Sequence, residues 1–258
     1  MKLQEKKQIA IKAAREASEE ILKIYHSEAF DTQLKDDQSP VTIADKKGHD
    51  VISYYLEKTG LPILSEEGRN IRFEEREKWE YFWMVDPLDG TKEFINKNGQ
   101  FTVNIALIHK NQPIWGIVIA PVLNKVYYID ENNEACLEEG GKIIKLQEKV
   151  KEVDFSVEGI KVVASKSHLD ERTQAFINQL KNPTTISVGS SLKFMMIAEQ
   201  KANIYPRFAP TSEWDTAAAH AILNNLGYKV LLYKNEVQEK QEITYNKENI
   251  LNPYFFVM

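Results

Sequence analysis

Asp86 and Asp89 lie three positions apart, directly after the compact apolar run Tyr81–Val85. Because an apolar strand cannot bury a carboxylate cheaply, we expect Asp86 to emerge at the end of that strand. Pro87 fixes the backbone between the two acids and Gly90 permits a tight turn, so both carboxylates can face one space. Their repulsion then requires a cation, and carboxylate and carbonyl oxygens are the hard ligands that Mg²⁺ prefers. The segment therefore predicts a magnesium site.

Three further acids stand at positions from which they could join this site. Glu66 and Glu67 follow the short apolar run Leu61–Leu64, and Asp215 falls in the first turn of a predicted helix. Each of them alone is more often a helix cap or a solvated surface charge, since the helix dipole favours a carboxylate in a first turn. The backbone amides from Asp89 to Thr91 could bind a phosphate if a helix or nest begins there.

A second candidate anion site follows Val188. Gly189-Ser190-Ser191 precedes a predicted helix, so its amides and hydroxyls could contact a ribose or a phosphate, although an ordinary helix cap explains them equally well. Lys193 and Arg207 add positive charge, and the planar guanidinium suits a phosphate or stacks on an adenine. Tyr205 and Phe208 are expected to pack in a strand rather than against a base.

The elements that must position these residues alternate between helices and strands. Apolar residues recur every four positions from Glu5 to Tyr25, which predicts a helix, and a second helix is expected over Ala44–Lys58, ending at Gly60. The polar stretch Glu131–Val153 contains Gly140-Gly141 and indicates a domain boundary or a surface hairpin. Further expected strands and helices are Phe101–His109, Ile114–Ala120, Val126–Asp130, Lys161–Ala164, Asp170–Leu180, Thr185–Val188, Leu192–Gln200, Asn203–Phe208 and Trp214–Leu226. This alternation predicts an α/β or layered α+β architecture.

Bulk composition excludes several classes of protein. The 258 residues carry 43% hydrophobic residues, enough for a core, and the net charge of −5 argues against a nucleic-acid polymer or membrane surface as the general partner. With Cys136 as the only cysteine, neither an intrachain disulfide nor a CxxC metal site can form. We assign Cys136, in its polar and peripheral stretch, no catalytic role, and expect His220 to be a packing residue. No integral membrane segment is expected, and the location predicted is cytoplasmic.

Three separated motifs in the same order give the sequence a family resemblance. Together they resemble the inositol monophosphatase-like superfamily of lithium-sensitive, magnesium-dependent phosphatases: Ser65-Glu66-Glu67, Asp86-Pro87-Leu88-Asp89-Gly90-Thr91 and Trp214-Asp215-Thr216-Ala217-Ala218. Within it, three more segments look like those of the bacterial 3′(2′),5′-bisphosphate nucleotidases: Ser39–Asp45, Gly189–Phe194 and Tyr205–Asp215. Ala209 stands where those proteins usually carry glycine. The resemblance extends from the first helix to Leu251-Asn252-Pro253.

The resemblance implies a role for each motif residue. The implied ligands of two or three Mg²⁺ ions are Glu66, Asp86, the Leu88 carbonyl, Asp89 and Asp215. Asp45 and Thr91, with Glu66, would position an attacking water for direct in-line displacement, without a phosphoenzyme. The implied substrate contacts are Glu66, Leu88, Asp89, Gly90, Thr91, Gly189, Ser190, Lys193, Arg207 and Asp215.

The same resemblance implies a fold and a reaction. The fold would be the layered αβαβα sandwich of the inositol monophosphatase/fructose-1,6-bisphosphatase type, with an α+β part over 1–150 and an α/β part over 151–258. The reaction would be hydrolysis of adenosine 3′,5′-bisphosphate to AMP and phosphate in sulfur assimilation, with its sulfated relative as a further substrate. An inositol or sugar-phosphate phosphatase is the alternative enzyme, and a non-catalytic nucleotide-binding module is an alternative of another class. A monomer or a homodimer, and peripheral association with the inner membrane, both stay open.

Overall fold

The protein is described by a computed structural model over residues 1–27, 32–34, 40–164, 170–233 and 241–258, with 32–34 and 40–42 described for their backbone alone. Ser39, which opens one of the resemblance segments, lies outside these residues. The helices of this part of the chain are α1 Leu3–His26, α2 Ile43–Leu56, α3 Phe73–Arg76, α4 Thr91–Ile95, α5 Glu171–Asn178, α6 Leu192–Ala198 and α7 Ala217–Asn225. Two short 3₁₀ turns cover Glu57–Thr59 and Glu213–Asp215.

The strands form one large sheet and several smaller ones. Their bounds are β1 Thr32–Leu34, β2 Pro40–Thr42, β3 Ile63–Ser65, β4 Tyr81–Asp89, β5 Thr102–His109, β6 Gln112–Ala120, β7 Lys125–Ile129, β8 Ala135–Glu139, β9 Lys142–Lys145, β10 Lys161–Ala164, β11 Thr184–Ser187, β12 Tyr205–Arg207, β13 Val230–Leu232 and β14 Phe255–Val257. The large sheet has the order β3-β4-β5-β6-β7-β8-β9. Only β3 and β4 run parallel in it, and the later strands pair antiparallel.

Helices cover both faces of this sheet at its centre. The apolar stripe of α1, from Ala10 to Ile21, is buried, and its alanines let α1 pack closely on α2. On the opposite face α7 crosses β6 so closely that a Cβ on Gly116 would lie 2.2 Å from the Ala218 carbonyl oxygen. Because both faces are covered, the run Val103–Ile108 in β5 is buried without alternation.

A second β layer lies beyond α6 and α7. β14 is its central strand, antiparallel to both β12 and β13. β10 and β11 pair in parallel, and a bridge from Val162 to Ile204 connects them to the segment before β12. Ile177 of α5 packs with Val162 and Phe256 in the outer core. The layers are therefore helix, sheet, helix, sheet, helix, which confirms the predicted αβαβα sandwich.

Several element predictions hold and two need correction. The second helix ends at Leu56 and continues as a 3₁₀ turn, which Gly60 ends in the left-handed conformation with φ of 70°, and the glycine pair Gly140-Gly141 joins the edge hairpin β8–β9. Asp86 does not mark the end of its strand, because β4 continues to Asp89. The thiol of Cys136 lies in that edge hairpin as predicted but is buried, with 4% of the residue exposed.

Candidate metal centre

Glu66 and Asp86 are brought together by the parallel pairing of β3 with β4. Ser65 pairs with Val85, and the Glu66 amide donates a hydrogen bond of 3.1 Å to the Val85 carbonyl. The two acids therefore occupy adjacent positions on neighbouring strands. Asp86 is almost fully buried, with 1% exposed, and Glu66 is half-buried.

An irregularity in β4 sets the relation between Asp86 and Asp89. Asp86 pairs with Asn104 and Asp89 with Thr102, so three steps on β4 match two on β5. Residues three apart on a regular strand face opposite sides, but the extra residue of a bulge restores a common side. The acids therefore face the same side as Asn104 and Thr102, which are also buried.

Asp215 enters from the C-terminal half of the chain. It ends the 3₁₀ turn before α7, and the Ser212 amide donates to its Oδ2 at 2.9 Å. One carboxylate oxygen from each of Glu66, Asp86 and Asp215 lies within 4.8 Å of the others. Within the described part of the chain, this is the group of acids whose oxygens converge closely enough to share a cation.

The turn that carries Asp215 is held by buried polar contacts. The fully buried carboxylate of Glu213 accepts hydrogen bonds from the amides of Asn246 at 2.6 Å and Lys247 at 3.0 Å. The side-chain amide of Asn252 donates to the Ser212 carbonyl at 2.7 Å. The position of Asp215 therefore depends on the segment 246–252, far along the chain.

The electrostatics of the cluster match a site for a divalent cation. Burial, and next the charge of Glu66, raise the pKa of Asp86 well above its ordinary value. Burial, and next Asp89, raise the pKa of Asp215 in the same direction. Buried carboxylates that repel one another are stabilised by a hard cation, and an all-oxygen donor set fits Mg²⁺. The residues present therefore fit the metal that the sequence predicts.

Asp45 and Leu88 both act on Asp86. Asp45, 3% exposed, lies in the first turn of α2 and contributes to the raised pKa of Asp86. The Leu88 amide donates to Asp86 Oδ1 at 3.1 Å. Gly90, with φ of 97°, precedes Thr91, the first residue of α4, so a helix does begin after the acidic loop.

The predicted substrate residues other than the acidic cluster and its loop lie in the C-terminal half: Gly189, Ser190, Lys193 and Arg207. The Gly189 amide donates to Gln100 Oε1 at 2.9 Å, and the Ser190 hydroxyl is buried with no hydrogen-bond partner among the described residues. Lys193 is 9% exposed, and burial lowers its pKa to about 8, with Asp89 and Arg207 among the charges acting on it. Arg207 Nη2 donates to the Pro210 carbonyl at 3.1 Å.

Sequence reasoning missed the residues that support the acids. Ser191 donates towards Asp89, Asn104 donates to Ser191, and Thr102 donates to Asp89. Asn104 and Thr102 lie on the otherwise apolar strand β5. Only the register of β5 against the bulge in β4 shows that their side chains face the acids.

The layered sandwich thus carries an acidic cluster that fits a hard divalent cation, as a metal-dependent enzyme requires. The chain belongs to the inositol monophosphatase family: the sequence model of that family matches residues 2–254. The predicted family is thereby confirmed.

Relatives with high coverage share one name. The 3′(2′),5′-bisphosphate nucleotidase CysQ of Salmonella typhimurium is 43% identical over 247 residues, covering 95% of this chain and 96% of the relative. CysQ of Escherichia coli K12 is also 43% identical with the same coverage. The crystal structure of CysQ from Bacteroides thetaiotaomicron superposes with a TM-score of 0.83 at 40% identity, covering 99% of this chain and 97% of that one. The predicted similarity to bacterial bisphosphate nucleotidases is confirmed.

A more distant solved structure shares the fold. This structure, an inositol monophosphatase/NADP phosphatase complexed with Mg²⁺ and phosphate, superposes with a TM-score of 0.78 at 17% identity.

Among the described residues, no helix is long and apolar enough to cross a membrane. His220 is fully buried in α7 against Tyr245, as a packing residue should be.

Proposed function

We propose that this chain is a Mg²⁺-dependent 3′(2′),5′-bisphosphate nucleotidase that hydrolyses adenosine 3′,5′-bisphosphate to AMP and phosphate. The observation that carries the proposal is the convergence of Glu66, Asp86 and Asp215 within 4.8 Å, in a chain 43% identical to CysQ nucleotidases over 95% of its length. In the reaction, the bond between phosphorus and the ribose 3′-oxygen breaks and a bond from a water oxygen to phosphorus forms.

The metal ligands proposed are Glu66, Asp86, the Leu88 carbonyl, Asp89 and Asp215, for two or three Mg²⁺ ions. When bound, Mg²⁺ would neutralise the acids and the phosphoryl oxygens and lower the pKa of a water molecule. Asp86 supports this assignment most directly, because it is buried among other acids whose negative charges raise its pKa. A bound cation would compensate that charge.

Asp45 and Thr91, with Glu66, are proposed to hold the attacking water. Asp45 is close enough to the cluster to act on the pKa of Asp86. Thr91 begins α4 directly after Gly90, and we propose that the amides of Gly90 and Thr91 meet phosphate oxygens there. These groups can accept a proton from water or orient it.

Gly189, Ser190, Lys193 and Arg207 are proposed to bind the nucleotide. Lys193 and Arg207 supply the positive charge that a second phosphate requires. The hydrogen bond from Arg207 Nη2 to the Pro210 carbonyl restricts the orientation of the guanidinium, which supports this role. Ser190 offers a buried hydroxyl with hydrogen-bonding capacity unused by the described residues.

We also propose that the chain divides at residue 150 into an N-terminal and a C-terminal part, and that substrate binds between them.

The test is Mg²⁺-dependent phosphate release from adenosine 3′,5′-bisphosphate compared with inositol 1-phosphate at matched concentrations, with EDTA as the metal control. We expect a strong preference for the nucleotide that EDTA abolishes. A preference for inositol 1-phosphate would support the proposed Mg²⁺-dependent hydrolysis but contradict the proposed nucleotide substrate. Absence of release from both would favour a non-catalytic nucleotide-binding module.

Sedimentation of the same preparation would decide between the monomer and the homodimer. Fractionation of cells would test a cytoplasmic location.

A further inference from the structure

Ser191 lies where three elements meet beside the metal centre. Its side chain is buried, with 1% of the residue exposed, and it stands at the start of α6. Its hydroxyl oxygen lies 2.9 Å from Asp89 Oδ2 on β4 and 3.0 Å from the backbone carbonyl oxygen of Asp215. The amide nitrogen Nδ2 of Asn104 on β5 donates to the same hydroxyl at 3.0 Å.

The hydrogen-bonding capacity of a serine hydroxyl decides how these contacts divide. A hydroxyl has one hydrogen and two lone pairs, and Asn104 occupies a lone pair. The hydrogen is therefore left for Asp89 or the Asp215 carbonyl, and a charged acceptor makes the stronger bond. Thr102 also approaches Asp89 Oδ2, at 3.4 Å, so both hydroxyls address one oxygen of that carboxylate.

We propose that Ser191 is a positioning residue for the metal centre, orienting the Asp89 carboxylate through Oδ2. The proposal rests on the proposed function, since it takes Asp89 as a Mg²⁺ ligand. It also separates Ser191 from Ser190, whose hydroxyl has no partner among the described residues and can meet substrate. Partners that orient ligating groups are worth 10- to 100-fold in metal affinity.

The first experiment measures Mg²⁺ affinity by isothermal titration calorimetry, without substrate, after EDTA treatment and dialysis. We expect Ser191→Ala to raise the Mg²⁺ Kd about tenfold or more. The matched control is Ser18→Ala, which removes a buried hydroxyl that donates to the Ala14 carbonyl at 2.8 Å within α1. The control should keep the wild-type Kd. An unchanged Kd in Ser191→Ala would overturn the positioning role.

A kinetic measurement separates positioning from general damage. The Mg²⁺ concentration for half-maximal phosphate release should rise about tenfold in Ser191→Ala, while kcat returns to near the wild-type value at saturating Mg²⁺. A kcat that saturating Mg²⁺ does not restore would overturn the proposal. If Ser191→Ala does not fold, Ser191→Cys keeps the size with a weaker donor and should raise the Kd in the same direction.

A double-mutant cycle tests the route through Asn104. Asn104→Ala should also weaken Mg²⁺ binding, and Ser191→Ala/Asn104→Ala should be no weaker than Ser191→Ala alone, because Asn104 acts through the hydroxyl. Additive losses would contradict that route. If wild-type protein binds no Mg²⁺, the proposed function itself fails, whereas wild-type binding with an unaffected Ser191→Ala overturns only the role of Ser191.

Discussion

The backbone amide of Glu66 donates a hydrogen bond of 3.1 Å to the carbonyl oxygen of Val85. The parallel ladder between β3 and β4 therefore continues one residue beyond Ser65. At that position the segment after β3 carries Glu66, and β4 carries Asp86. Because the ladder fixes this register, the proximity of Glu66 to Asp86 belongs to the sheet rather than to a flexible loop. In the folded chain without metal, the two carboxylates therefore repel each other whenever both are ionised.

Replacing Asp86 should stabilise the metal-free protein. Its pKa is raised by burial and by Glu66, so its ionised form opposes folding once the pH exceeds the ordinary value of 3.8. In EDTA at neutral pH, Asp86→Asn should melt a few degrees above the wild type, since each kcal/mol moves the Tm of a chain this size by about 2–4 °C. The gain should shrink as the pH falls and disappear below 3.8, where the carboxyl is protonated in both states.

Differential scanning calorimetry across pH measures this effect, with saturating Mg²⁺ as the counterpart. There the order should reverse, because the wild type gains binding free energy that the variant lacks. A lower Tm for Asp86→Asn in EDTA would refute the electrostatic reading of the cluster.

Asp89→Asn should abolish turnover with little loss of folding. Asp89 is a proposed ligand, and its partner Ser191 can still donate to the amide oxygen of asparagine. We expect phosphate release to fall by at least about 100-fold, in line with the loss of a group acting directly on the reacting charge. Circular dichroism and Tm should stay close to wild type. Activity within a few-fold of the parent, or an unfolded variant, would remove Asp89 from that role.

Arg207→Ala should change the choice of substrate more than the chemistry. The guanidinium is proposed to meet the nucleotide, whereas the acidic cluster of Glu66, Asp86 and Asp215 is proposed to act, through bound metal, on the phosphoryl group of either substrate. The loss in kcat/KM should therefore be about tenfold or more for adenosine 3′,5′-bisphosphate, matching a hydrogen bond to a charged group, and small for inositol 1-phosphate. Equal losses for both substrates would eliminate a nucleotide-specific wall at Arg207.

Lys193 should introduce an alkaline limb into the pH profile. Burial lowers its pKa to about 8, so in the free enzyme the cation is present below that pH and is lost above it. Because the cation is proposed to attract the substrate phosphate, kcat/KM should decline above about pH 8. Lys193→Met should have a lower kcat/KM at neutral pH, and its profile should lack this limb. An unchanged limb in the variant would assign the titration to another group.

Gly189→Ala should damage the site because there is no room for a side chain. A Cβ there would lie 2.7 Å from Glu93 Cγ and 2.8 Å from the Gln100 carbonyl oxygen, so the loop must move. We expect kcat/KM for the nucleotide to fall about tenfold or more, since small misplacements of binding groups are costly.

Gly159→Ala is the matched control, since its φ of 79° opposes a side chain but nothing lies within 4 Å of the new Cβ. The control should lose about 1–2 kcal/mol of stability through backbone strain and keep its kcat/KM. Equal kcat/KM values for the two variants would contradict the close packing proposed at Gly189.

The sequence is most informative where chemistry and local pattern coincide. The segment from Asp86 to Thr91 combines acids with residues that fix and turn the backbone, and an acidic metal site could be predicted from it. The position of Asp86 within β4 could not, because a bulge depends on pairing with β5 and not on the apolar run itself. Ser191 illustrates the same limit: beside Ser190 it has the same local signature, and only the tertiary fold brings one hydroxyl to Asp89 and leaves the other without a partner among the described residues.

The contact between Ser191 and Asp89 joins residues 102 positions apart in the chain. Closing so long a loop costs conformational entropy before the contact can contribute, so this part of the site should assemble late in folding. Mg²⁺ would then bind an unfolded or half-folded chain much more weakly than the native one, and its whole binding free energy would act on the last step of folding. Bound Mg²⁺ would therefore slow the unfolding of the native protein and leave the early collapse unchanged.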